Sequence, residues 1–416
     1  MKLSQIIAPS LGNVLEWFDF GLFIYLAPIL GKKFFPAQDQ NTATLAAFGV
    51  FAAGFICRPL GGIVFGYYGD KFGRVSALRF SIFSITLSTF LVSFLPTYET
   101  IGVLATILFT ILRLIQGLSV GGEYAGSSIY LTESAPEKYR GFITSFAPCG
   151  ANFGFLLATF AAFLLKIMLP EILVEKWAWR LPFIFSGIFG LLILSYRIKM
   201  IETKIYTYLK YNNKLNKNNL LSTFRKHPLI LFVSVGLTCM GSTLYYVFFG
   251  YMPTYLAKKN ISLSAALGFQ ALLLFIMMFL VPFFGWCGDY FGRKKMLSTT
   301  AIGIAVLSIP CFYLLKQQSL IAVFCALGIA TVLSSAEQGN TLAAANENTK
   351  PNVRYTIVSF TFNFGNAFFG GTAPFIVSLM MKKWNYLSPA YYLISMAILS
   401  WIATFGLKKK LALYKV

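Results

Sequence analysis

Charge and histidine are scarce in this sequence. Charged residues make up 12% of 416 positions, only 14 of them are Asp or Glu, and His227 is the sole histidine. A soluble domain carries about 25% charged residues, so an ordinary cytosolic enzyme is excluded, together with disordered, collagen-like and coiled-coil chains. A single histidine in a basic segment leaves histidine-based catalysis without its residues. Six cysteines show no paired spacing, which removes a zinc motif, a redox motif and a disulfide scaffold. Cys57, Cys149, Cys239, Cys287, Cys311 and Cys325 all fall in or beside apolar runs, where a thiol packs as a small hydrophobe. Neither a cofactor nor a metal is expected.

Apolar length is what the chain has instead. Hydrophobic residues reach 57%, aromatics 17%, and the mean hydropathy is +0.69. A membrane-spanning helix needs roughly 20 mostly apolar residues, because the hydrocarbon core is about 30 Å thick. Twelve such runs are predicted, at 11–34, 42–67, 77–95, 101–124, 142–166, 181–197, 229–251, 265–286, 297–315, 320–338, 356–381 and 386–407. The fold class expected is all-α integral membrane. The first run carries Glu16 and Asp19 and lacks a small-residue cleavage site, so it reads as a retained helix rather than a signal peptide.

The net charge of +21 would suggest nucleic acid in a soluble protein. Here the basic residues sit in short gaps between apolar runs, which fits lipid and the positive-inside rule, and no nucleic-acid partner is expected. The even gaps hold Lys71, Arg74 and Arg79, then Lys138 and Arg140, then Arg293, Lys294 and Lys295, then Lys350 and Arg354. The tail adds Lys408, Lys409, Lys410 and Lys415, whereas the odd gaps hold pairs such as Lys32–Lys33, Lys258–Lys259 and Lys382–Lys383. Both termini and the central segment are therefore predicted to be cytoplasmic. That segment, 199–227, is the only long polar stretch. It reads as a solvated, headgroup-facing linker or as a regulatory element.

An internal repeat divides the chain. Gly66, Gly69, Asp70, Lys71, Gly73 and Arg74 form G-x-x-G-D-x-F-G-R after the second run. Gly285, Gly288, Asp289, Gly292 and Arg293 repeat it after the eighth, about half a chain later. A weaker echo joins Glu133 and Arg140 to Glu347 and Arg354. Two pseudo-symmetric six-helix bundles, 1–198 and 228–416, joined by 199–227, are the expected domains. Carriers built from parallel repeats place substrate near the midplane between them. Glycine permits a tight turn, and Asp70 and Asp289 are suited to capping a helix N-terminus. The motif reads either as a structural turn or as a clasp that holds one gate, the two being compatible.

These motifs, with Arg113-Leu-Ile-Gln-Gly117-Leu-Ser-Val-Gly121-Gly122-Glu123-Tyr124, resemble the major facilitator superfamily. Gly12-Asn13-Val-Leu-Glu16-Trp17-Phe18-Asp19-Phe20, Arg58-Pro59-Leu60-Gly61-Gly62 and Glu133-Ser-Ala-Pro136 narrow the resemblance to the bacterial metabolite:proton symporter family. The segments 122–130 and 245–256 resemble its proline/betaine branch. Glu202-Thr203-Lys204 stands where that family has Glu-Thr-Pro. The resemblance implies a proton-coupled importer of a small zwitterionic or carboxylate solute, working by alternating access as a monomer in the bacterial inner membrane. The alternative substrate is a di- or tricarboxylate.

A charge at the bilayer centre costs roughly 2.5–3.5 kcal/mol on insertion scales, so it faces a cavity or a partner. Glu16, Asp19, Arg58, Arg113, Glu123 and Glu337 stand inside or at the edge of the runs. Glu16 and Asp19 share a broad helix face with Asn13, and Gln116 aligns with Glu123. Asp19 and Arg113 are proposed as a carboxylate–guanidinium switch, partly by analogy with related carriers; the alternative is a permanent salt bridge. Arg58 reads as a ligand for a substrate carboxylate or as a neutraliser of Glu16 or Glu123. Glu123, in its glycine-rich helix, is a proton site or a structural polar group. Trp17, Tyr124, Tyr245, Tyr246 and Tyr251 could offer π faces to a quaternary ammonium or lie against lipid. Asn152, Asn363 and Asn366, with Gln270 and Gln338, are candidate hydrogen-bonders in a cavity or bridges between helices.

Overall fold

The computed structural model describes residues 3–35, 40–216, 220–252, 256, 263–317 and 319–407. Twelve helices are long and apolar enough to cross a membrane. They are α1 Ser4–Phe34, α2 Thr42–Phe72, α3 Arg74–Phe94, α4 Val103–Ser134, α5 Glu137–Met168 and α6 Ala178–Ile198, followed by α7 Pro228–Tyr251, α8 Leu267–Phe291, α9 Arg293–Lys316, α10 Leu320–Asn348, α11 Arg354–Lys383 and α12 Ser388–Phe405. The described residues contain no strand. Lys2, Lys217, Lys258, Lys259, residues 253–255 and the tail lysines lie outside the described residues.

Several helices outrun their apolar segments. α4 continues to Ser134, past the predicted end at 124, because its small polar residues satisfy themselves on their own helix. Ser128 donates to Ala125 O at 2.7 Å and Thr132 to Ser128 O at 2.7 Å. α10 reaches Asn348 in the same way, with Thr349 closing on Ala345 O at 2.8 Å. Hydropathy ends where polarity rises, but the backbone ladder does not.

Within the first six helices α1 packs on α5, α2 on α4, and α3 on α4 and α6. Within the last six α9 packs on α10 and α12, α8 on α10, and α7 on α12. The two groups meet along α2 with α11 and α5 with α8. Large apolar side chains such as Phe163, Phe185, Phe279 and Phe375 face outward, as lipid solvation permits. All six cysteines are free, and Cys325 is exposed rather than packed inside.

Two features escape sequence periodicity. α7 and α11 each contain a widened turn, at Tyr246–Tyr251 and Asn366–Gly370. In the second, Gly371 N–H donates to Asn366 O at 2.8 Å, five residues back. Such turns cluster at functional sites. Part of the central segment is folded as well, against the expectation of a solvated linker. Lys204–Tyr211 is helical, Thr203 caps it by accepting from Tyr206 N–H at 3.2 Å, and Ile205, Tyr206 and Leu209 are buried.

Candidate functional site

The two glycine motifs close α2 and α8. Gly73 and Gly292 hold φ values of +114° and +92°, backbone that a Cβ disfavours. The aspartate before each turn reaches into the other six-helix group. Asp70 accepts from Tyr355 N–H (3.1 Å), Thr356 N–H (2.9 Å) and Thr356 Oγ1 (2.8 Å) at the start of α11. Asp289 accepts from Gly141 N–H (2.8 Å) and Phe142 N–H (2.9 Å) in the first turn of Arg140–Thr144. Both carboxylates meet bare helix N–H groups, where the dipole favours an anion. The groups approach closely here: a Cβ on Gly66 would stand 2.6 Å from Thr356 Cα, and one on Gly285 would stand 2.8 Å from Gly141 O.

Ion pairs reinforce these caps. Buried Arg74 donates to both Glu133 oxygens (3.2 and 3.1 Å) and to Asp70 Oδ1 (3.1 Å), while Arg354 of α11 donates to Glu133 Oε1 (2.7 Å). One carboxylate thus holds an arginine from each group. The second clasp is wetter. Arg293 pairs with Asp289 (2.5 Å) and Glu347 (3.4 Å), Arg140 reaches Glu347 at 3.8 Å, and these three outer side chains are 12–24% exposed. Lys71 is exposed, and its ammonium donates to Tyr67 OH at 3.5 Å. The central segment joins the first clasp. Thr203 Oγ1 donates to Glu133 Oε2 (2.7 Å), Glu202 accepts from Val75 N–H (3.1 Å) and Thr203 N–H (2.8 Å), and Tyr206 OH donates to Lys71 O (2.9 Å). Burial holds the Glu202 carboxyl above its ordinary pKa.

A chamber with about 370 Å³ of empty space lies inside the first six helices, lined by Glu16, Asp19, Arg113 and Gln116 among others. Asp19 accepts from Thr89 Oγ1 and Ser186 Oγ. Gln116 Nε2 donates to Thr89 Oγ1 at 2.6 Å, and Arg113 Nη1 donates to Gln116 Oε1 at 2.8 Å. Asp19 and Arg113 are therefore linked through Thr89 and Gln116 instead of pairing directly. Arg113 Nε and Nη2 have no partner among the described residues, and the guanidinium lies 3.8 Å from the Phe23 ring centroid. Glu16 Oε1 is 3.5 Å from Arg58 Nη2, and its second oxygen has no partner among the described residues. Arg58 also donates to Asn363 Oδ1 at 3.2 Å and lies over Trp17, Phe20 and Phe55 at 5.2–5.8 Å.

A second cavity, with about 540 Å³ of empty space, opens between the two groups. Expected residues Trp17, Tyr124, Asn152, Tyr245, Tyr246 and Asn366 line it, and so do Glu337 and Gln338. Trp17 meets Tyr124 and Tyr245 edge-on, each at 6.2 Å, and Tyr124 stacks on Phe362 at 4.7 Å. Asn152 donates to Gln338 Oε1 at 3.1 Å, bridging the groups across the cavity. The Trp17 N–H and the Tyr246 hydroxyl are buried without a partner among the described residues.

Other candidates stand elsewhere. Asn13 is bonded at both ends of its amide, to Ser127 (2.8 and 3.0 Å) and Ala147 O (3.2 Å), so it ties α1 to α4 and α5. Both Glu123 oxygens are taken by Arg197, with Ser81 donating too, which makes Glu123 a packed structural acid. Asn363 donates to Gly121 O at 2.7 Å and holds α11 against α4. Gln116 lines the chamber and not the central cavity, and Arg58 is in neither lining, its guanidinium facing Glu16 instead. Gln270 donates to Phe249 O at 2.8 Å, and Tyr251 lies in the core of the last six helices.

Comparison with known proteins matches this arrangement to a family. The Major Facilitator Superfamily profile matches residues 10–374. The chain belongs to the major facilitator superfamily. A relative named as the proline/betaine transporter of Escherichia coli (strain K12) is 32% identical, covering 97% of this chain and 83% of its own. A glycine betaine/proline/ectoine/pipecolic acid transporter of Dickeya dadantii (strain 3937) is also 32% identical, with the same coverage. Among solved structures, a proton:xylose symporter bound to 6-bromo-6-deoxy-D-glucose superposes with a TM-score of 0.81 at 19% identity, over 98% of this chain and 96% of that one. The inward-open conformation of the xylose transporter from E. coli gives 0.67, also at 19% identity, over 95% and 94%.

This facilitator is a membrane carrier and not an enzyme. Its two clasps tie one end of the helix groups together, and its central cavity lies at their seam. The residues that sequence reasoning missed are partners of the charges it found. Arg197 ends the sixth predicted run, a signal that was available, yet its union with Glu123 is a tertiary fact. Thr89 and Ser186 gave no signal, because lone hydroxyls in apolar helices are common.

Proposed function

We propose that this facilitator is a proton-coupled symporter of a small zwitterion of the proline or glycine betaine type, working by alternating access in the bacterial inner membrane. The observation that carries the substrate reading is the seam cavity, in which Trp17, Tyr124 and Tyr245 turn toward one another between the helix groups. A quaternary ammonium gains about 0.5–2 kcal/mol over an aromatic face. The relatives named as proline/betaine and glycine betaine/proline/ectoine/pipecolic acid transporters support the same class. The dicarboxylate alternative is weaker, because the residues lining this cavity include no arginine or lysine.

The clasps form the gate, and the positive-inside rule places them on the cytoplasmic side with both termini. Bundles 1–198 and 228–416 rock about the cavity, one end opening as the other closes. Cavity, chamber and clasps all lie within one chain, which suits a functional monomer. Asp19 carries the coupling proton. When it is ionised it compensates Arg113 through Thr89 and Gln116, and when it is protonated that guanidinium loses its nearest counter-charge and turns toward Glu16 in the same chamber.

Proteoliposomes holding purified protein, given labelled proline and an inward proton gradient, test the reading. Gradient-dependent accumulation blocked by glycine betaine and not by α-ketoglutarate is the expected result. Absence of proline and betaine uptake, with α-ketoglutarate accumulating, would overturn the zwitterion assignment.

A further inference from the structure

Glu337 is the one acid in the wall of the seam cavity. It projects from α10 and is 4% exposed, and among the described residues no Lys or Arg forms an ion pair with it. Thr341 Oγ1, one turn along its own helix, donates to Glu337 Oε1 at 2.6 Å. Every other acid buried in the spans among the described residues has a cationic or hydroxyl partner on another helix: Glu16 has Arg58, Asp19 has Thr89 and Ser186, Asp70 has Thr356, Glu123 has Arg197 and Glu133 has two arginines. Space for the carboxylate is built into the neighbouring helix. A Cβ on Gly241 of α7 would overlap the Glu337 carboxyl group. Across the same cavity the Trp17 N–H and the Tyr246 hydroxyl are two donors without a partner among the described residues, and Asn366 Oδ1 is a neutral acceptor in the same position.

The cavity is therefore polarised, with one anionic acceptor on α10 and neutral donors on α1 and α7. A carboxylate kept in an apolar surround without a cation is costly unless something bound supplies the charge. We infer that Glu337 is the specificity-determining contact for the positively charged ammonium pole of the solute, while the Trp17 N–H and Tyr246 O–H receive its carboxylate. This deepens the symporter reading and rests on it. Solutes of the same shape without the positive nitrogen would be rejected, because they would leave Glu337 uncompensated. The aromatic faces favour the positive pole as well, and a change at Glu337 alone isolates the share that the acid supplies.

Competition against labelled glycine betaine on purified protein, with no proton gradient, tests the inference. The pair of competitors is glycine betaine and 3,3-dimethylbutanoate, its carbon isostere. The wild type is expected to prefer betaine by at least ~10-fold, and Glu337→Gln to lose about that factor for betaine while binding the isostere as well as before or better. Glu337→Asp, which keeps the charge, should retain most of the preference, and a monodisperse profile for each variant separates lost recognition from lost folding. An unchanged preference in Glu337→Gln overturns the role of Glu337 and leaves the symporter reading standing. A wild type that binds neither betaine nor proline overturns the zwitterion reading and this inference together, a distinguishable result.

Discussion

Asp70→Asn tests whether the buried clasp sets the balance between closed and open states. Asp70 accepts two backbone N–H groups and one hydroxyl at the start of α11, and it pairs with Arg74 at 3.1 Å. Asparagine keeps one acceptor oxygen and turns an NH₂ toward the remaining donors. Arg74 keeps Glu133, so no cation is stranded. With the NH₂ at the Oδ2 position the Thr356 hydroxyl turns to accept from it, so the loss is the Thr356 N–H bond to a charged group, about 2 kcal/mol within a range of about 1.5–3. That shifts the open-to-closed ratio about 30-fold. A protein about 1% open would become about one-quarter open. Asp289→Asn removes a similar pair of backbone contacts, but its surrounding network is 12–24% exposed, so water replaces much of what is lost. Its expected cost is about 0.5–1 kcal/mol, or a 2- to 5-fold shift. Spin labels at Lys138→Cys and Lys294→Cys, on exposed sites flanking the crevice between the groups, would report the distance in a cysteine-depleted background. The long-distance population should grow far more in Asp70→Asn than in Asp289→Asn. An Asp70→Asn distribution identical to the parent, or a larger shift in Asp289→Asn, would refute the reasoning.

Three further outcomes are expected. Arg197→Met should cost roughly 3–5 kcal/mol by leaving Glu123 buried without its cation, while Arg197→Met with Glu123→Leu should recover most of it; equal thermal melting of the single and double variants would count against a structural pair. Asp19→Asn should keep substrate exchange between the two sides of a proteoliposome but abolish proton-driven accumulation, and accumulation that survives would remove Asp19 from coupling. Burial raises the Glu202 carboxyl above its ordinary 4.5, against the nearby Arg74 and the backbone N–H groups of Val75 and Thr203. Its stabilising contribution is therefore complete below 4.5 and is lost as pH rises through the raised value. Wild type should fall in melting temperature relative to Glu202→Gln as pH rises, and a difference that stays constant or reverses would contradict this assignment.

The twelve spans were legible because lipid demands about 20 apolar residues per crossing, and this demand writes itself into one dimension. The repeat was legible because duplicated turns need the same glycines and aspartates. Even the capping role of Asp70 and Asp289 could be anticipated from the chemistry of helix N-termini. What each cap would grasp could not, because its donors lie on helices of the other group: Tyr355 and Thr356 for Asp70, Gly141 and Phe142 for Asp289.

The sequence also determined which charges are buried, since hydropathy exposes Glu16, Asp19, Arg58, Arg113, Glu123 and Glu337 alike. Only the tertiary structure sorted them. Glu123 went to Arg197, Asp19 to Thr89 and Ser186, and Glu337 to the seam cavity, with no ion pair among the described residues. Helical periodicity tells which residues share a face, but not which neighbour that face meets. In a bundle where nearly every helix is apolar all round, hydrophobicity does not orient the helices. Small-residue contacts, hydroxyls and the handful of ion pairs decide their rotation, and they act between residues tens to hundreds of positions apart.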